Sequence, residues 1–195
     1  MRTSSVAPGA AFVSRQESFN TRLKEKFAQG RKLEFDKLAE PVLWVRNAEE
    51  AKTLVKAMTL DPEFKCDFLS DITAYDNQDG EDGEQRFVLV YQLYSTTEKI
   101  RLRIKALVAE SEDAYSITDL FPAANWLERE VFDMFGIKFK NHPNLRRILM
   151  DERFTGHPLR KEYPIKQREP FKDNIQFHLG ANPLRVDTET AQSEK

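Results

Sequence analysis

The stretch Arg86-Phe87-Val88-Leu89-Val90-Tyr91-Gln92-Leu93-Tyr94, the link Ser95-Thr96-Thr97-Glu98, and the run Lys99-Ile100-Arg101-Leu102-Arg103-Ile104-Lys105-Ala106-Leu107-Val108 decide the fold. Both runs are rich in β-branched and aromatic residues and are joined by a short polar link, which is the pattern of a β-hairpin. In the second run Ile100, Leu102, Ile104 and Ala106 alternate with Arg101, Arg103 and Lys105. Successive strand side chains point to opposite faces, so one face is buried and the other is wet and basic. A sheet with one apolar face, set among helical segments, gives an α+β class: a small mixed or antiparallel sheet packed with helices.

Working outward toward the N-terminus, a strand is expected over Cys66–Tyr75. It is separated from the hairpin by the acidic, turn-rich connector Asp76-Asn77-Gln78-Asp79-Gly80-Glu81-Asp82-Gly83. Further back, Asn47 followed three residues later by Glu50 has the spacing of a helix cap with its reciprocal acid, so Ala48–Met58 reads as a helix. Its Ala51, Leu54, Val55 and Met58 recur at helical spacing and form one buried face. Pro41–Val45 is a short β-rich run, and the domain is expected to begin at residue 33. Residues 1–32 read as a flexible N-terminus, disordered over the first ten residues, with a short helix around Glu17–Phe27.

Toward the C-terminus, a short strand is expected near Tyr115–Ile117, then a helix over Ala123–Phe135 that Pro122 sets up and Gly136 ends. The domain thus spans residues 33–139. From residue 140 to 195, Pro143, Pro158, Pro164, Pro170 and Pro183 interrupt any periodicity. About 50 residues without a core of their own read as either a disordered tail or a long extended strap laid over another protein, and the strap is the expectation. In the free chain, amide protection is expected to be weak beyond Phe139.

Composition narrows the chemistry. The chain has 195 residues, 30 Lys plus Arg against 32 Asp plus Glu, one Cys and three His. A single cysteine, Cys66, excludes an internal disulfide framework, a Cys-based zinc finger and a thiolate-held iron–sulfur cluster within the chain. A net charge of −2 argues against a general nucleic-acid binder, and no apolar run is long enough to span a membrane. The charge is nonetheless segregated. Residues 1–32 hold seven basic and two acidic side chains, Cys66–Gln85 seven carboxylates and no Lys or Arg, and His142–Lys172 eight basic against four acidic. That division suggests a molecule that docks on something at one end.

Familiar catalytic and ligand patterns fail on spacing. The acidic connector does not place Asp, Asp or Asn and Gly in the register of an EF-hand loop, and reads as a solvated turn. His142 and His157 each precede proline, which forces an extended backbone and keeps them off a shared helix face. No phosphate loop, dinucleotide fingerprint or nucleophile elbow occurs. Projected as a helix, Ala123–Phe135 puts Trp126, Leu127, Val131, Met134 and Phe135 on one apolar arc with Glu130 inside it. Asp133 falls at the edge, while Glu128 and Arg129 point away. A carboxylate on a buried face is costly unless paired. Arg146 and Arg147 follow in a segment that must fold back over the helix, so a clamp from Glu130 to these arginines is expected, with proton handling as the sharper alternative.

The same region carries a resemblance. Glu128-Arg129-Glu130-Val131-Phe132-Asp133-Met134-Phe135-Gly136-Ile137-Lys138-Phe139-Lys140-Asn141-His142-Pro143-Asn144-Leu145-Arg146-Arg147-Ile148-Leu149 closely resembles the motif of the 30 kDa family, the C subunits of bacterial-type NADH–quinone oxidoreductase, respiratory complex I. The lead-in Asp119–Trp126 and the later Gly156-His157-Pro158-Leu159-Arg160-Lys161-Glu162-Tyr163-Pro164 fit as well. The resemblance covers roughly Leu33 to Ile165. It implies an α+β subunit of the peripheral arm with no flavin, iron–sulfur cluster or quinone ligand of its own. FMN and the clusters would reside in partner chains, and NADH and quinone would be substrates of the proton-translocating complex. It implies partners in the large D subunit of the quinone module and the adjacent iron–sulfur subunits. It also implies a peripheral position on the cytoplasmic face of the bacterial inner membrane, or alternatively the mitochondrial matrix face. Membrane contact would be indirect. Glu128, Arg129, Glu130, Asp133, Arg146 and Arg147 are expected to join domain to strap, and His142, His157, Arg160, Lys161 and Tyr163 to contact the partner. Competing readings are the equivalent subunit of a related hydrogenase or ferredoxin-linked complex, and a stand-alone hydrolase using Glu130 or Asp133.

Overall fold

The computed structural model describes residues 8–164. Helix α1 (Pro8–Phe27) is longer than the expected Glu17–Phe27 and belongs to the core. Phe19 and Leu23, four apart and on one face, are fully buried, and Phe19 and Phe27 pack edge-on against Phe64 with ring centroids 5.2 and 5.3 Å apart. Lys26 pairs with Asp61 at 2.7 Å, and Arg22 Nη1 donates to the Glu63 carbonyl at 2.8 Å. From Phe19 onward the helix is packed into the domain. The Phe19–Leu23–Phe27 spacing was the available signal, diluted by a polar surround. The expected disorder of the first ten residues falls, for residues 1–7, outside the described residues.

Strands β1 (Leu33–Phe35) and β2 (Pro41–Val45) are followed by α2 (Ala48–Leu60), β3 (Phe68–Asp76), β4 (Phe87–Ser95) and β5 (Ile100–Val108). Asn47 Oδ1 accepts the Glu50 N–H at 2.8 Å, while the Glu50 carboxylate turns back to the Arg46 N–H at 3.1 Å, so the cap forms as the sequence indicates. The five strands make one mixed sheet in the order β1-β2-β5-β4-β3, with β2 and β5 parallel and the other neighbours antiparallel. The β4–β5 hairpin pairs Ser95 with Ile100 and runs to Phe87 opposite Val108. The predicted alternation holds, since Ile100, Leu102, Ile104 and Ala106 are all buried.

The core lies on one face of the sheet. Leu43, Leu89, Tyr91, Leu93, Leu102 and Ile104 meet Leu54, Val55 and Met58 of α2 and, with the buried side of α1, form one continuous cluster. Cys66 is buried in it, and burial pushes its thiol up to about 12, which leaves it unreactive. On the opposite face a smaller cluster of Val42, Trp44, Val88 and Val90 is shielded by Lys32 and Lys105, whose ammonium groups lie 5.4 and 4.5 Å from the Trp44 ring centre. The face read as wet and basic thus uses its lysine stems as cover.

Downstream, β6 (Ala114–Tyr115) pairs in parallel with β7 (Phe139–Lys140), and α3 (Ala124–Phe135) joins them. Gly136 ends α3 in the left-handed conformation (φ 81°), with its N–H on the Phe132 carbonyl at 2.9 Å. The compact unit runs to Tyr163. Residues 141–163, assigned from sequence to an extended segment serving a partner, are laid over their own domain. The remainder of the expected strap lies outside the described residues.

Candidate functional site

Helix α3 is buried on two sides, which corrects the sequence projection. Toward the core it presents Ala124, Glu128, Val131 and Phe135. Toward the chain that folds back over it, it presents Arg129 and Asp133, one turn apart. Trp126 and Glu130 occupy the strip left to solvent. The projection took the arc from Trp126 to Phe135 as the one buried face, whereas the returning chain also covers the side that carries Arg129 and Asp133. The spacing Glu128–Val131–Phe135, at i, i+3 and i+7, was the signal that Glu128 shares the core face.

Asp133 is the centre of the clamp. Its side chain is fully buried and accepts four bonds: from Arg147 Nη1 at 2.7 Å and from the backbone N–H groups of Ile148, Leu149 and Met150 at 3.1, 2.8 and 2.8 Å. Burial alone would raise this carboxyl, but the Met150 and Leu149 amides, then Arg147 and Ile148, outweigh it and hold it below the usual carboxylate range. Arg129 completes the junction by donating to the carbonyls of Arg146 and Arg147 at 3.1 and 3.2 Å. Arg147 Nη2 also reaches the Gly156 carbonyl at 2.9 Å. The sequence expectation of an arginine–carboxylate clamp is met in kind but not in partner. Arg147 grips Asp133 rather than Glu130, and Arg146 contributes its carbonyl to Arg129 rather than a guanidinium to a carboxylate.

Glu130 is exposed and forms no hydrogen bond or ion pair among the described residues. Replacing it with glutamine is expected to change stability by no more than about 0.5 kcal/mol in a denaturant titration. Asp133 has its oxygens filled by fixed donors, so it is not arranged as the acid–base of a hydrolase.

A second clamp holds the far end of the returning chain. Asp76, nearly fully buried, accepts from Arg86 Nε and Nη2 at 3.1 and 3.2 Å and from the Lys161 N–H at 2.9 Å. Burial opposes ionisation here too, but Arg86 and Lys161 keep the carboxyl below its ordinary value. Arg86 also pairs with Glu110 and Glu162, and the Lys161 ammonium with Asp79. Arg160 donates to the Phe135 carbonyl at 2.7 Å and to Glu110 at 2.6 Å. The acidic connector, which the sequence left without a partner, therefore supplies countercharge to the basic returning chain. Within it, Asn77 ties the turn together through the carbonyls of Gly83 and Gln85 and the Asp82 N–H.

The five residues expected to face a partner are engaged by their own domain. The His142 ring has no solvent exposure, and its expected partner contact is corrected on that ground. His157 Nδ1 lies 3.0 Å from the Asp133 carbonyl and its ring meets the edge of Phe132. Arg160 and Lys161 are held as described, and Tyr163 packs on Phe154 with ring centres 5.6 Å apart.

Glu128 stands apart from the clamp. Its Oε1 accepts the Ile117 N–H at 2.7 Å, while Oε2 lies 3.9 Å from His142 Nε2. Burial pushes its carboxyl up to about 7, only partly offset by Ile117, Ser116 and Lys52. No group of three or more His, Cys, Asp or Glu side chains among the described residues could hold a metal ion. No helix among them is long and apolar enough to cross a membrane.

The fold that carries the doubly clamped α3 is that of a class of α+β chain also seen in the membrane-bound sulfane sulfur reductase, an archaeal respiratory membrane complex. The two superpose with a TM-score of 0.62 at 19% identity, over 78% of this chain and 86% of that one. The chain belongs to the family described as respiratory-chain NADH dehydrogenase, 30 Kd subunit, which matches residues 44–169, and is thus a complex I subunit. It is 47% identical over 135 residues to the NADH-quinone oxidoreductase C subunit of Trichlorobacter lovleyi, covering 68% of this chain and 82% of that protein. It is 38% identical over 135 residues to the NADH-quinone oxidoreductase C/D subunit of Bdellovibrio bacteriovorus, covering 69% of this chain and 23% of that protein.

Proposed function

We propose that the chain is a peripheral-arm subunit without a cofactor of its own, which scaffolds the quinone-reducing module while electrons pass from NADH to quinone. In this reading FMN and the iron–sulfur clusters lie in partner chains, and proton translocation belongs to the complex. The chain binds chiefly the large D subunit and the adjacent iron–sulfur subunits, at the cytoplasmic face of the bacterial inner membrane and without touching lipid. The relative whose name joins C and D, matched here over a fraction of its length, supports the D subunit as the neighbour.

One observation carries the reading. Glu128, Arg129, Asp133, Arg147 and Arg160 are engaged inside the domain, yet Trp126, Leu149 and Leu159 stand 59%, 61% and 55% exposed along α3 and the chain that crosses it. Large apolar side chains held on a rigid frame are what a partner subunit buries. The Trp126 ring is covered on one side by Arg129, whose guanidinium lies 5.1 Å from the ring centre. Replacing Trp126 and Leu149 by alanine is expected to leave the isolated chain's stability within about 1 kcal/mol. The same change should weaken capture of the large subunit roughly thirtyfold or more. Co-purification with identification of the neighbours is the test. NADH-dependent turnover or hydrolysis by the purified chain alone would sink the scaffold reading.

A further inference from the structure

Tyr91 Oη, Asn125 Oδ1 and Glu128 Oε2 are buried side-chain atoms with no hydrogen-bond partner among the described residues. The charge of Glu128 also bears on the Tyr91 hydroxyl. Buried polar atoms in native folds are rarely left bare, so three of them around one helix need an explanation.

A basic group stands close to the bare Glu128 oxygen but is barred from neutralising it. The Asn144 N–H donates to His142 Nδ1 at 3.0 Å, so Nδ1 carries the lone pair. Nε2 then carries the ring proton and donates it to the Asn125 carbonyl at 3.1 Å. A second proton on Nδ1 would set it against the Asn144 N–H. Burial and Arg129 both disfavour the charged ring as well. His142 is thus locked as a neutral imidazole.

The other groups that face Glu128 do not supply a free cation. From α2, Lys52 Nζ is bonded to the Ser116 carbonyl at 2.7 Å and to Asp119 at 3.0 Å. From the turn before α3 come the Ile117 N–H, the Ser116 hydroxyl and the negative Asp119. From β4 comes Tyr91, and on α3 itself Arg129 is committed to the carbonyls of Arg146 and Arg147. An ionised Glu128 would be a buried charge with one bare oxygen and no free cation to pair with.

We propose that Glu128 is a proton-holding switch: in mildly acidic solution it is a neutral carboxylic acid tying the Ile117 turn to α3, and its ionisation loosens the Ile117 and His142 turns from the helix. The neutral acid presents one acceptor to Ile117 and one hydroxyl donor to a cluster whose other unpaired atoms are the Asn125 amide oxygen, an acceptor, and the Tyr91 hydroxyl, which can donate or accept. The anion demands more hydrogen-bond donors than the neutral acid, so its ionisation favours opening to solvent where the two turns meet α3. His142 begins the chain that reaches Asp133, so the opening is felt at the start of the clamp. The switch works in the same way whichever complex the chain joins.

Infrared titration of the intact 195-residue chain tests the protonation directly. At about pH 6 ordinary Asp and Glu are ionised. A carboxylic-acid carbonyl band is therefore expected from Glu128 at that pH, fading by about pH 8. Stability supplies the second readout. Between 4.5 and about 7 the folded chain holds a proton that the unfolded chain has lost, so stability falls as pH rises through that window and then levels. His142 and His157, both lowered on folding, push stability the other way, so the comparison is made against Glu128→Gln. The ratio of wild-type to Glu128→Gln folding constants is expected to fall about seventyfold from about pH 5 to about pH 8. Exchange at the Ile117 amide should accelerate beyond its intrinsic pH dependence in the wild type only. Absence of the acid band at about pH 6 overturns the proposal, and so does a ratio that stays flat. Should Glu128→Gln fail to fold, the infrared result on the wild type decides alone.

Discussion

Asp133→Ala is expected to cost about 3–5 kcal/mol, the scale of breaking a buried ion pair by removing one partner. The change strands the Arg147 guanidinium and three backbone N–H groups, those of Ile148, Leu149 and Met150, that have one acceptor between them. For a domain whose whole stability is about 5–15 kcal/mol, such a loss brings unfolding within reach of ordinary growth temperatures. Hydrogen exchange is the sharper measurement. In the wild type the three amides should be well protected, which revises the sequence expectation of weak protection from Phe139 onward. In the variant they should exchange as a group. The pH dependence has a definite sign. Because the folded-state carboxyl is held below its ordinary value, its stabilisation is present above the unfolded value near 3.8 and is lost as pH falls through the folded one. The wild type should therefore weaken toward acid by more than Asp133→Asn does.

Gly136→Ala is expected to cost about 2–4 kcal/mol through two separate terms. A left-handed φ of 81° strains any residue with a Cβ by about 1 kcal/mol. In addition, a Cβ built there would stand 2.6 Å from His157 Nε2 and 2.7 Å from Arg160 Nη2. Those side chains are not free to swing away. His157 is held on the Asp133 carbonyl, and Arg160 on the Phe135 carbonyl and Glu110. The methyl group must therefore break one of these bonds or displace the returning chain, so the loss should exceed that of a simple helix-end substitution. Denaturant unfolding of Gly136→Ala beside Gly156→Ala separates the terms, because Gly156 also has a positive φ (94°) but a looser surround, with Tyr163 at 3.2 Å.

The β4–β5 hairpin, α2 and the end of α3 were legible in the sequence because each is set by local periodicity or capping: the Ile100-to-Ala106 alternation, the Asn47 cap, and Gly136. The full length of α1 and strand β1 were not. Nor was the parallel β2–β5 pairing, since strands far apart in sequence are matched by tertiary packing rather than by a local turn. At the candidate site, the sequence showed that an arginine from the returning chain must meet a helix carboxylate. It misidentified the carboxylate because a projection assumes one buried face, and α3 has two. The Arg129–Asp133 spacing marked the second face, but only for a reader who knew that residues 146–150 would cross it. Glu128 was harder to place. It looks outward on a one-sided helix, and its isolation from any cation depends on a histidine tautomer set by the Asn144 backbone.

The two clamps are arranged in series along the chain, and this fixes the order in which they bear load. Tension applied from beyond Tyr163 acts first on Arg160 and Lys161, where Asp76, Asp79 and Glu110 resist it. Once that grip slips, the load passes to His157 on the Asp133 carbonyl and to the Gly156 carbonyl held by Arg147, which belongs to the Asp133 junction itself. The domain thus has an outer fastening ahead of the Asp133 carboxylate, and because Arg160 also grips the Phe135 carbonyl, a tug on the C-terminal side is shared between the acidic connector and the last turn of α3.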